Sequence, residues 1–195
     1  IGEKLGTIIE KYFLKTKSKI FILDNHGIVI GHDTPAEAEK LHNEFCKKII
    51  IDRRCPPKFK KSLMKPFLDL LPNAYIPNLE IIHSLATDPL SLELCKKNAP
   101  YPDHIVFCGK ETQIIKRKED LKYVSLVNKK WLLIENKGVI ILDSKNTRIQ
   151  EMLSFLAEIY LRVNNLKNIN LLSDSECENI FNKEEEKYRI NMLQE

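Results

Sequence analysis

The sequence predicts a mixed α/β chain of two units, and three observations carry that expectation. Two short apolar runs, residues 20–23 and 28–30, flank a tight Asn25-His26-Gly27 corner and lead into a helix start. A second stretch, residues 132–141, repeats that form far downstream. An amphipathic helical pattern precedes the first pair of runs, so the order helix, strand, strand, helix reads as the tail of an α/β layered domain.

Taken in order, Leu5, Ile8, Ile9, Tyr12 and Phe13 recur at helical spacing, and their face is expected to be core. At the corner, Gly27 tolerates positive φ and Asn25 can bond its own backbone, so the chain can reverse between two strands. Thr34 is placed to cap the following helix, Pro35 suits its first position, and Glu37 falls where a capping box needs it. Ala38, Leu41, Phe45, Cys46 and Ile49 then predict the buried stripe of that helix. His32 and His42 are read as solvated or half-buried rather than functional.

Residues 52–58, with a charge cluster and a Pro-Pro pair, read as a linker, which divides the chain into domains at 1–54 and 55–195. Beyond it, short helices are expected over residues 63–71, from Ile76-Pro77 through His83 to Ala86, and from Asp88-Pro89 through Leu94. A Pro-rich entry at residues 99–104 is expected to lead into a buried strand over residues 105–107. His104 is then a turn histidine bonded to the backbone.

The downstream echo runs Leu132-Leu133-Ile134-Glu135-Asn136-Lys137-Gly138-Val139-Ile140-Ile141, with acid, Asn, one variable position, Gly and three β-branched residues in the same order as the first copy. Thr147 and Gln150 suggest a capping box for the helix that follows, and Ser173 with Glu176 suggests another near the end. After it, the Glu run at 184–186 and the basic residues beyond it suit i,i+4 pairing on a solvated face. Where the first copy has imidazole at His26, the second has an ammonium at Lys137, which cannot ligand a metal while protonated. The second copy is therefore expected to serve packing or assembly.

Composition narrows the function classes. Apolar and charged fractions of 43% and 30% are those of an ordinary globular chain, and no run approaches the ~18 apolar residues of a membrane span. No cationic-then-apolar leader opens the sequence. Five scattered cysteines with no Cys-x-x-Cys pair argue for reduced thiols in a cytoplasm. A net charge of +4 from interspersed Lys and Glu gives little support to nucleic-acid binding, and no Gly-rich loop supports a nucleotide site.

From the residues alone, His26 is either an outward-pointing histidine on a β-corner or a metal ligand on a rigid strand end, and the second reading needs at least two more ligands converging on it. The run Leu-Asp-Asn-His-Gly-Ile-Val-Ile-Gly-His-Asp-Thr-Pro-Ala-Glu-Ala over residues 23–38 resembles the C-terminal signature of the class II aldolase/adducin family. Fainter likenesses at Pro102-Asp103-His104 and in the C-terminal tail are to its two-domain members.

That resemblance implies a layered class II aldolase-like αβα domain, present in part, followed by a second α/β domain that is a degenerate copy. It implies that His26 is one of three imidazoles on a divalent metal, usually zinc, in a lyase or epimerase acting on a sugar phosphate or related keto compound. It also implies a cytoplasmic homo-oligomer with no nucleic-acid or membrane partner. The family's His-x-His pair and catalytic carboxylate lie upstream of the corner, and no His-x-His occurs in this sequence. The chain is accordingly expected to be a fragment, or a reduced relative, that keeps one ligand of three. The alternative is a non-catalytic, adducin-like assembly or binding protein.

Overall fold

The computed structural model describes residues 2–142, 147–167, 169–184 and 188, and the fold is mixed α/β with two small sheets. The chain divides into two compact units, Ile1–Ile51 and Asp52–Glu195.

The first unit runs α1 (Gly2–Thr16), β1 (Ile20–Leu23), β2 (Gly27–Ile30) and α2 (Pro35–Ile49). The strands pair antiparallel, with Ile20 opposite Ile30 and Leu23 opposite Gly27. Asn25 has φ of 56° and Gly27 of 118°, so the reversal uses the left-handed region twice, as Asn and Gly permit. Extended Thr34 caps α2: its hydroxyl accepts from the Glu37 N–H at 3.3 Å and donates to the Glu37 carboxylate at 2.8 Å. Neither helix buries the face expected of it, because α1 and α2 contain no buried residue and Ile8, Tyr12 and Ile49 are all more than half exposed. A two-stranded ribbon is too small a platform to cover two helices of 15 residues.

The second unit holds the core. It contains α3 (Lys65–Leu68), α4 (Ser84–Thr87), α5 (Pro89–Cys95), α6 (Pro102–Cys108), β3 (Gln113–Ile115), β4 (Trp131–Ile134), β5 (Gly138–Ile141), α7 (Thr147–Tyr160) and α8 (Asp174–Asn182). The sheet order is β3-β4-β5, with β3 parallel and β5 antiparallel to β4. Every residue of β4 and β5 is buried, and alternation along the strands splits them between two clusters. Trp131, Leu133, Val139 and Ile141 join Leu85, Leu94, Leu153 and Leu156 on one face. Leu132, Ile134 and Ile140 join Met64, Phe67 and Ile115 on the other.

Several expectations change here. Residues 105–107 are not a strand but the body of α6, which starts at Pro102 and stops where Gly109 takes φ of 94°. The helices expected over 63–71 and 76–86 are shorter, each a 3-10 turn (Lys61–Leu63 and Glu80–His83) followed by a single α-helical turn. Asp88 does cap α5, accepting from the Ser91 N–H at 2.8 Å, and the Ser173–Glu176 capping box starts α8. The cap expected at Thr147 rests on side chains outside the described residues, as does the pairing expected along the Glu run at 184–186.

The segment read as a linker is also partly structural. Arg54 belongs to the second unit: its N–H donates to the Leu161 carbonyl at 2.9 Å, and its guanidinium grips both oxygens of Asp88. The same guanidinium donates to the carbonyls of Tyr160 and Val163 and to the Ser91 hydroxyl. Burial works to raise the Asp88 carboxyl, but the bonds from Arg54 and Ser91 outweigh it and hold the group below the usual carboxylate range.

Candidate functional site

His26 sits at the third position of the loop between β1 and β2, and its side chain is exposed. Its N–H donates to the Leu23 carbonyl at 3.2 Å, closing the turn. Its ring Nδ1 lies 2.9 Å from the Asp24 carbonyl oxygen, which can only accept, so Nδ1 carries the proton. In this tautomer the ring's lone pair is on Nε2. A backbone carbonyl fixing one imidazole nitrogen in this way is how a metal-ligating histidine is commonly oriented.

The described residues do not complete a metal site around it. Among the described residues, one group of three has ligand atoms within 4.8 Å of one another, His32, Asp33 and Glu37, and His26 is not in it. That group is already engaged. His32 Nδ1 lies 3.0 Å from the Glu37 carboxylate, while the Lys19 ammonium sits 2.8 Å from Nε2. The bond from the Thr34 hydroxyl, and then the His32 ring, hold the Glu37 carboxyl below its ordinary range. Nδ1 also accepts from the Asp33 N–H at 2.9 Å, so a dication bound there would compete with that bond and face the Lys19 charge across one ring, and the geometry suits a helix-start network better than a metal. A catalytic zinc wants three protein ligands, and the donors described here do not supply them.

Beside the network lies an open cleft of about 420 Å³ between α1 and the hairpin, floored by Ile9, Phe13, Phe21 and Val29 and rimmed by Lys19, His32 and Asp33.

The second hairpin matches the first at a constant offset of 111 residues. Trp131 pairs with Ile141 as Ile20 pairs with Ile30, and Ile134 with Gly138 as Leu23 with Gly27. Asn136 repeats the positive φ of Asn25, at 59° against 56°. The Lys137 N–H donates to the Ile134 carbonyl at 2.9 Å, where the His26 N–H donates to Leu23. Lys137 therefore stands at the position of His26. It is half-buried, with its ammonium 5.7 Å from the centre of the Phe67 ring, and a cation so placed supports packing.

His83, which the sequence placed only as part of a helix, turns out to be the histidine most tightly held in the second unit. Its Nε2 donates to the Pro77 carbonyl at 3.0 Å, its Nδ1 accepts from the Val139 N–H at 3.1 Å, and Phe59 stacks on it at 3.5 Å. Burial depresses its pKa to about 4. His104 is no turn residue: it lies in α6, 4% exposed, edge-on to Tyr101 and Trp131, with no partner at Nδ1 among the described residues, and burial holds its pKa at about 4 too.

No family model, curated protein or solved structure matches the chain. No described helix is long and apolar enough to cross a membrane.

Proposed function

We propose that this chain carries part of a class II aldolase-like, metal-dependent lyase or epimerase acting on a sugar phosphate or related keto compound, with His26 as one metal ligand. The observation that carries the reading is the His26 imidazole, exposed on a rigid corner, with Nδ1 tied to the Asp24 carbonyl and Nε2 left to accept. In such an enzyme the divalent metal, zinc by preference, polarises a carbonyl oxygen. His26 contributes orientation and one neutral nitrogen donor. The other two imidazoles and a catalytic carboxylate are needed from outside the residues described here. The layered aldolase-like arrangement, the second unit as its degenerate copy, homo-oligomeric assembly and a cytoplasmic setting belong to the same proposal. The constant offset between the hairpins and the free state of all five cysteines support it.

The test is metal content. In a polypeptide joining this chain to a His-x-His segment and carboxylate of that family, His26→Ala should remove most bound zinc while leaving the fold intact. Unchanged zinc in that variant overturns the assignment, and tight stoichiometric zinc on the present chain alone would place the ligand set elsewhere. A second reading, a non-catalytic adducin-like assembly or binding protein, is favoured by Lys137 occupying the equivalent corner, and it predicts no metal in either form.

A further inference from the structure

The two hairpins share one register but not one environment. In the second unit β4 is a central strand: Gln113, Ile114 and Ile115 of β3 pair parallel to Leu132, Leu133 and Ile134. In the first unit the equivalent strand, β1, is an edge of a two-stranded sheet. The burial follows, with Leu133 wholly buried and its counterpart Ile22 74% exposed.

We infer that the β1 edge is a docking site for an extended polypeptide strand of the β3 type, donated by a partner and running parallel to β1 opposite Phe21, Ile22 and Leu23. The ladder shows which backbone groups would receive it. The Lys19 carbonyl accepts from Gly31 and the Leu23 carbonyl from His26, so Lys19, Phe21 and Leu23 face β2 and the N–H and C=O of Ile22 face outward. Across the offset Ile22 corresponds to Leu133, which lies on the β3 side, as does Glu135 two residues on, whose N–H donates to Ile115. Ile20, also outward, is already served by the Ser18 hydroxyl, which donates to its carbonyl at 2.8 Å. That concentrates recognition on Ile22.

Charge selects the incoming strand. In the second unit Glu111, two residues ahead of β3, pairs with Lys129, two residues ahead of β4, at 3.2 Å. In the first unit Ser18 stands at the position of Lys129, flanked by two cations, Lys17 over the Phe13 ring and Lys19 beside His32. The complementary partner therefore carries an acid two positions before a run of three residues that ends in β-branched apolar side chains. Main-chain bonds to the edge supply affinity, and the acid and apolar residues supply selection.

The probe is a peptide of residues 109–117 of this sequence, added at about 1 mM to the whole chain and read by amide hydrogen exchange. Exchange at Ile22 should slow by about tenfold or more at saturation, while Leu133, already paired, should not change. The Glu111→Lys form of the peptide should protect Ile22 several-fold less. Ile22→Lys, at a side chain too exposed to hold the fold together, should abolish the effect with the second unit intact. No protection at Ile22 overturns the inference. Equal protection by both peptides removes the charge selection and overturns it in that form. Protection that rises with protein concentration without peptide makes a second copy the occupant and equally overturns it. None of these readings depends on metal, so they stand apart from the fate of His26.

Discussion

His83 Nδ1 accepts the Val139 N–H at 3.1 Å, so a side chain from the turn before α4 closes the outer edge of β5 where a further strand would otherwise pair. Tyr75 covers the same edge further along, exchanging two 2.9 Å backbone bonds with Ile141. This arrangement needs a neutral imidazole, because Nε2 is committed to donate to Pro77 and Nδ1 to accept.

Acid should therefore weaken the second unit in a definable window. His83 and His104 have folded pKa values of about 4 against an ordinary 6.5. Above pH 6.5 both are neutral in either state and their stabilising contribution is complete. Between 6.5 and about 4 the unfolded chain takes up protons that the fold refuses, so stability falls as pH drops and levels below about 4. Each histidine accounts for on the order of 3 kcal/mol over that range. Urea denaturation at pH 7, 5.5 and 4.5 checks this, and His104→Leu should remove roughly half of the pH dependence. A flat profile would refute the neutral buried pair.

The two corner glycines should differ in cost. Added at Gly138, a Cβ would lie 2.8 Å from Phe59 Cε2 and 2.9 Å from His83 Nδ1, and stacking and two hydrogen bonds keep those rings from yielding. At Gly27 nothing lies within 4 Å, and the cost is backbone strain at φ of 118°. Gly138→Ala should destabilise by about 2–4 kcal/mol and Gly27→Ala by about 1 kcal/mol. Thermal unfolding of the second unit should register the first and be blind to the second.

Arg54→Met should cost about 3–5 kcal/mol, because it leaves the Asp88 carboxylate, 6% exposed, without its cation. Adding Asp88→Asn should recover part of the loss, since the amide keeps a cap for the Ser91 N–H without a buried charge. Purely additive losses in that double mutant, measured by chemical denaturation, would mean the two residues act separately.

His26→Ala should change stability by no more than about 0.5 kcal/mol, since an exposed corner side chain contributes little packing. A loss above about 1 kcal/mol in denaturant titration would assign His26 a structural duty that its single side-chain bond to Asp24 does not suggest.

The local devices were legible because their physics spans four or five residues. Asn25 and Gly27 announced a reversal through positive φ, and Thr34 with Glu37 and Ser173 with Glu176 announced helix starts through cap chemistry. The error at residues 105–107 has the same origin: three apolar residues after a Pro pair suit a buried strand or a buried helix equally, and Pro102 at the first helical position decided for the helix.

By itself, the sequence announced a strand, corner and strand twice, with imidazole at one corner and ammonium at the other. Only the tertiary structure decided which copy is buried. Leu133 and Ile22 occupy the same position in equally apolar strands, yet one is sealed and the other 74% exposed, because burial depends on what distant chain packs against the strand. Arg54 and His83 were hidden for the same reason. The partners that define their roles, Asp88 and Val163 for Arg54 and Val139 for His83, lie 34 to 109 residues away, beyond any periodicity or cap signal, and become visible only when folding brings a guanidinium to Asp88 and an imidazole to the edge of β5.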